Sequence, residues 1–309
     1  MNKFDYSSLE TISFSELKDM QISYGDLYWK KANGKFVKVL ICGDQVDFSK
    51  LAKFEKVTPH LFIHSVCNKS FVKKGVEIIS RLLSSIDEIE RLRLRDQFIL
   101  HLGPVFWKGD EQDSILSLVL IFQNSLYDIQ NSFEEEMESN AFLYHKRSVL
   151  SSTLITLFAM ASGYTHGDFL KDLFNVCHFF DYSLSKGELS VEEPKHIEQS
   201  RKLFIESKFY IPKNKNLSKL IEFHHELLNE SGAFIGSNLE EIGDLERIVI
   251  WIENILPFVI EEFSSEDGQG YLNKILNESK NQETFVDSSL RKRLIAAFNM
   301  EEVELEQTA

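Results

Sequence analysis

"EFHHELLNESGAF", residues 222–234, sets His224, His225 and Glu226 in a row shortly before Gly232. Two adjacent histidines and a glutamate have two ordinary explanations. They belong to a metal or phosphate site, or they close a solvated helix. The surroundings bear on the choice. From about residue 140 onward the chain reads as helical almost throughout, as in "YHKRSVLSSTLITLFAMASGY" (144–164) and "LERIVIWIENIL" (245–256), where apolar residues recur at three- and four-residue spacing. Six histidines fall in this part: His145, His166, His178, His196, His224 and His225. Any one alone reads as a core or capping residue. A helical bundle can nonetheless turn several imidazoles towards one point, and imidazole with carboxylate suits iron, zinc, manganese or nickel. His166, in "GYTHGDF", reads as a helix-start residue, and Cys177 as core packing.

Further upstream the pattern changes. "GDLYWKKA" (25–32) and "KFVKVLICGDQV" (35–46) are rich in β-branched and aromatic residues and flank Asn33-Gly34, a hairpin signal. "FSKLAKFEKV" (48–57) reads as a helix and "PHLFIHSV" (59–66) as a third strand. "VEIISRLLSSIDEIERLRLRDQFILHL" (76–102) and "SILSLVLIFQNSLYDIQNSF" (114–133) return to helical spacing, with "FWKGDEQDS" as a polar loop between them. "FEEEMES" (133–139) reads as a solvated helix face or an interdomain joint. The expected organisation is mainly α: a small α/β domain at 1–66, a helical connector at 67–137, and a helical bundle at 138–309.

Composition narrows the function. The 309 residues carry a formal net charge of −14, and such a surface repels phosphate backbones at long range. A nucleic-acid polymer is therefore not the expected partner, although a metal or a local basic cluster can still receive a small anion. Cys42, Cys67 and Cys177 include no CxxC pair, which fits a reducing cytoplasm. No apolar run is long and uncharged enough to span a bilayer, so no membrane insertion is expected.

The segment from His145 to about Met300 resembles the HD-GYP family, a bacterial branch of the HD metal-dependent phosphohydrolases. His224, His225 and Glu226 match the start of that family's HHExxDGxGYP signature, with Asn229 for its aspartate, Gly232 retained, and Ala233 and Phe234 in place of Tyr and Pro. "NVCHFFDYSLSKGELSVEE" (175–193) resembles the family's LLHDIGK segment, with His178 as the first letter of HD and Phe179 in the aspartate's place. "KHIEQSRKLF" (195–204) places His196, "YHKRSV" places His145, and "LERIVIWIENIL" puts Glu253 where the family has a metal-binding aspartate. "TFVDSSLRKRLIAAF" (284–298) resembles the family's closing helix. The N-terminal α/β unit is of a kind found ahead of such domains.

The resemblance implies an HD-type helical bundle and hydrolysis of cyclic di-GMP by metal-activated water. It implies His145, His178, His196, His224, His225 and Glu253 as metal ligands, and two ions per chain, with iron favoured and manganese the alternative. Asp181, three residues beyond His178, is either a replacement ligand on the same helical face or a surface residue. Tyr182 stands in the place of the family lysine, and Tyr182, Lys186 and Arg247 are the candidate phosphate contacts; for Arg247 a surface ion pair is the other reading. Residues 229–234 would form the substrate loop. Three functions stay open: a phosphodiesterase, a non-catalytic module that binds metal and a cyclic dinucleotide and meets a signalling partner through the N-terminal domain, and a metal-free helical scaffold.

Overall fold

The computed structural model describes residues 6–20, 22–65, 67–107, 115–127, 131–187, 189–191, 193–210, 216–225, 242–256 and 288–298. The chain is mainly helical, with a small antiparallel sheet at its N-terminus, as expected.

The sheet contains β1 (Glu10–Ser13), β2 (Gly25–Lys30), β3 (Phe36–Leu40) and β4 (His60–Ser65) in the order β1-β4-β2-β3, every pair antiparallel. The Asn33-Gly34 hairpin forms. Gly34 takes a φ of 81°, and the Asn33 side chain accepts from the Lys35 amide at 3.1 Å. Strand β1 was not anticipated. Its sequence, "ETIS", buries a single residue, Ile12, and so carries no alternation to read. Two helices cover one face of the sheet: α1 (Phe14–Lys18), opened by a reciprocal Ser13–Glu16 capping box, and α2 (Phe48–Glu55), capped by Asp47. Leu17 and Leu51 meet Leu27, Leu61 and Ile63 from the strands in a local core.

A second and larger core begins at α3 (Lys69–Ser84), which Asn68 caps through the amides of Ser70 and Phe71. It continues through α4 (Glu88–Trp107) and α5 (Ile115–Leu126). The expected loop "FWKGDEQDS" begins inside α4, which runs on to Trp107; the rest of it lies outside the described residues. Helix α5 is apolar on all sides because it is buried between α3 and α6. Gly75 permits that approach, since a Cβ there would lie 2.5 Å from Ile121 Cδ1.

Helix α6 (Asn131–Ala161) leaves helical geometry once, at Ala141 (φ −147°, ψ 43°). Beyond that break it packs on α7 (Gly167–His178) and α10 (Asp244–Ile255). Phe158 of α6 stacks on Trp251 of α10, and Phe298 of α11 (Ser288–Phe298) closes edge-on over the same ring. Helix α8 (Lys195–Glu206) and the single-turn α9 (Leu220–Phe223) complete the described bundle. Among the described residues no helix is long and apolar enough to cross a membrane.

Candidate metal centre

Helix α7 ends at His178, and the chain then turns through Phe179 and Phe180 into a short 3-10 segment, Tyr182–Lys186. Gly187, at a φ of 71°, ends that segment. The turn carries Asp181 inward, where it is fully buried. Three histidines approach it from two other elements. His196 lies in the first turn of α8, while His224 and His225 follow directly on α9.

From Asp181 Oδ1 the Nε2 atoms lie at 3.5 Å for His224, 3.7 Å for His196 and 3.7 Å for His225. Ligand atoms drawn from all four residues fall within 4.8 Å of one another. Such spacings are long for hydrogen bonds. They are close to the separation of about 3.4 Å between ligand atoms that each sit 2.0–2.1 Å from one tetrahedral ion.

The tautomers reinforce this. His224 donates from Nδ1 to the Ile221 carbonyl at 2.6 Å, and His196 from Nδ1 to the Glu193 carbonyl at 2.6 Å. A carbonyl only accepts, so the Nδ1 proton is assigned, and in a neutral ring Nε2 then carries a lone pair. Burial, with the neighbouring His225 adding to it, lowers the His224 pKa to about 3, which keeps that ring neutral. Burial likewise lowers His196. Burial pushes the Asp181 carboxyl up, but His224, His225 and Arg147 outweigh it and hold the group well below the usual carboxylate range. The lone pairs of His224 and His196 and one carboxylate charge thus converge on one point. A metal-ligating histidine is ordinarily held in this way, with its second nitrogen on a backbone carbonyl. The residues present fit a metal ion.

The remaining expected site residues lie elsewhere. His178 is buried between the rings of Tyr127 and Phe174, outside the cluster. Burial, and then His145, lowers its pKa well below the ordinary value. His145 lies 4.0 Å from Glu138. Glu253 is buried against Arg147, with its Oε2 at 2.5 Å from Nη1, and it accepts a short hydrogen bond from Ser151. Lys186 pairs with Glu136 and reaches the Tyr182 hydroxyl at 3.2 Å. Arg247 donates from Nε to the Ile242 carbonyl at 3.2 Å. Asn229, Gly232, Ala233, Phe234 and Glu226 lie outside the described residues.

The carboxylate at the centre is Asp181, and the ring of Phe180 before it stacks on His224 at 5.0 Å. Helical i,i+3 spacing from His178 does not describe Asp181, because α7 stops at His178. Arg147 was missed altogether. Its signal was its place at the head of residues 147–160, a stretch of α6 buried on every side, where an arginine is out of pattern.

Fold and site together define a helical protein with a buried aspartate–histidine cluster able to hold a metal. The chain matches no family model and no curated protein. Among solved structures it is similar to Bd1817, a HDG"Y"P protein from Bdellovibrio bacteriovorus, at 14% identity over 95% of this chain and 99% of that one, with a TM-score of 0.38. That superposition is loose, and the chemistry of the site stands on the residues above.

Proposed function

We propose that this protein is a metal-dependent phosphoesterase whose substrate is a cyclic dinucleotide, cyclic di-GMP first among them, with iron or manganese held by Asp181, His196, His224 and His225. The observation that carries the reading is the convergence of three imidazole Nε2 atoms on Asp181 Oδ1. When bound, a metal in such a site acidifies water and polarises a phosphoryl oxygen. The chain's own part is to hold the ligands. The Ile221 and Glu193 carbonyls fix two ring tautomers, Phe180 fixes the plane of His224, and Arg147 keeps Asp181 ionised.

A second reading, a module that binds metal and nucleotide without cleaving it, draws on the cations. Tyr182 stands where the resembling family has its lysine, and Lys186 is committed to Glu136. The experiment measures metal content and hydrolysis of cyclic di-GMP side by side, in wild type and His224→Ala. Turnover that disappears with the metal in the variant supports the enzyme. Bound metal and bound nucleotide without turnover support the module. Equal metal-free preparations of both proteins would sink both readings.

A further inference from the structure

Arg147 is buried to 1% exposure, and its guanidinium lies between two buried carboxylates. Nη1 is 3.0 Å from Asp181 Oδ2 and 2.5 Å from Glu253 Oε2, while Nη2 donates to the Glu253 carbonyl at 2.9 Å. The two oxygens of Asp181 thus have different duties. Oδ1 faces the three imidazoles, and Oδ2 faces the guanidinium. A carboxylate that bridged two metals would turn one oxygen to each. Here the second direction is taken by a cation belonging to the chain itself. Glu253 is taken in the same way, by Arg147 on one oxygen and by Ser151 on the other.

We propose that the Arg147 guanidinium stands in the place of a second metal ion, so that the centre holds a single ion through Asp181, His196, His224 and His225, with Glu253 serving as the arginine's counterion and not as a ligand. The inference rests on the metal reading above and revises the pair of ions expected from sequence. Its physical basis is charge. A buried arginine does not deprotonate, and its charge is stable there only when carboxylates surround it. A divalent ion between the same two carboxylates would meet that fixed positive charge at contact distance, in a medium that screens it poorly. The guanidinium supplies one positive charge at no dehydration cost to a metal, and it cannot be removed by a chelator.

The test uses the full chain, loaded with manganese(II) and freed of excess, and reads elemental content and electron paramagnetic resonance. The expected result is one ion per chain with an uncoupled spectrum. Glu253→Gln, which keeps the volume but removes the charge opposite Arg147 and leaves one acceptor oxygen where the carboxylate had two, should retain that ion with affinity within about threefold. Asp181→Asn and His224→Ala should lose it. Two ions, a spin-coupled pair, or loss of the ion in Glu253→Gln would overturn the inference and leave the metal reading standing. No ion in folded wild type would overturn both.

Discussion

Asp181 Oδ1 and His224 Nε2 face each other across 3.5 Å, both buried and neither with a hydrogen-bond partner among the described residues. The ring proton is on the other nitrogen, held by the Ile221 carbonyl, so a lone pair on nitrogen is aimed at a carboxylate oxygen. Unpaired polar atoms that are buried cost free energy, and two of the same polarity facing each other cost more. His196 repeats the arrangement from another helix, with its own proton held by the Glu193 carbonyl. A cation at the focus turns each of these repulsions into an attraction.

Metal should therefore stabilise the fold as well as serve the site. A ligand at a hundredfold excess over its dissociation constant adds about 2.7 kcal/mol. In a chain of this size that corresponds to a rise in Tm of roughly 4 °C. Differential scanning calorimetry with and without a chelator checks it. Wild type should lose that increment on chelation, and His224→Ala should show no response to either metal or chelator.

How much of this was legible beforehand differs by residue. His196, His224 and His225 are ligands that the family resemblance implies and that helical spacing alone does not bring to one point, and the structure brings them together. From sequence, Asp181 reads as a helical neighbour of His178, either a replacement ligand or a surface residue. Its position depends on where α7 stops, and a helix terminus is the least readable feature of a periodic pattern. Arg147 sits in a run, "HKRS", that reads as ordinary surface charge until the register of α6 is known. The small sheet followed from its hairpin, but β1 did not, since pairing with β4 and not its own alternation makes it a strand.

Arg147→Met should be among the most damaging single changes, because it leaves Asp181 and Glu253 buried without their counter-charge. Breaking one side of a buried pair costs about 3–5 kcal/mol. Adding Glu253→Gln removes one of the stranded carboxylates, so the double variant should be more stable than Arg147→Met alone. Urea denaturation of wild type, both single variants and the double variant gives the coupling. Strict additivity of the two changes would show that Arg147 and Glu253 do not interact.

Stability of the metal-free protein should fall on acidification from about pH 6.5, well above the range where carboxylates titrate. His224 stays neutral in the folded state down to about pH 3, whereas in the unfolded chain it takes a proton below about 6.5. Between those values the unfolded state binds more protons, so stability drops as pH falls, by up to about 1.4 kcal/mol per pH unit for this one group. Asp181 adds its own loss lower down. Its depressed pKa stabilises the fold above about pH 3.9, and that contribution disappears as pH drops towards the folded value. His224→Gln should flatten the Tm profile between pH 6 and 4 while leaving the steeper acid limb. An unchanged slope in that window would mean His224 is not the group responsible.

The turn that carries Asp181 inherits its position from α7, and α7 is seated at its start by Gly167. A Cβ on Gly167 would lie 2.6 Å from the Leu83 carbonyl oxygen and 3.1 Å from Leu83 Cα, both backbone atoms of α3. Backbone cannot rotate aside as a side-chain terminus can, so Gly167→Ala must shift α7 relative to α3 or strain both, at a cost of about 1–3 kcal/mol. Gly75→Ala is the matched control. Its Cβ would meet side-chain atoms alone, Ile121 Cδ1 at 2.5 Å, Cγ1 at 2.9 Å and Cγ2 at 3.3 Å, so the isoleucine and not a backbone has to move, and alanine's better helix propensity offsets part of the crowding. Thermal denaturation should rank Gly167→Ala clearly below Gly75→Ala. Metal affinity should also weaken in Gly167→Ala alone, because a displaced α7 moves Asp181 away from three histidines that are held by other helices. Equal metal affinity in the two variants, with Gly167→Ala folded, would show that α7 does not set the position of Asp181.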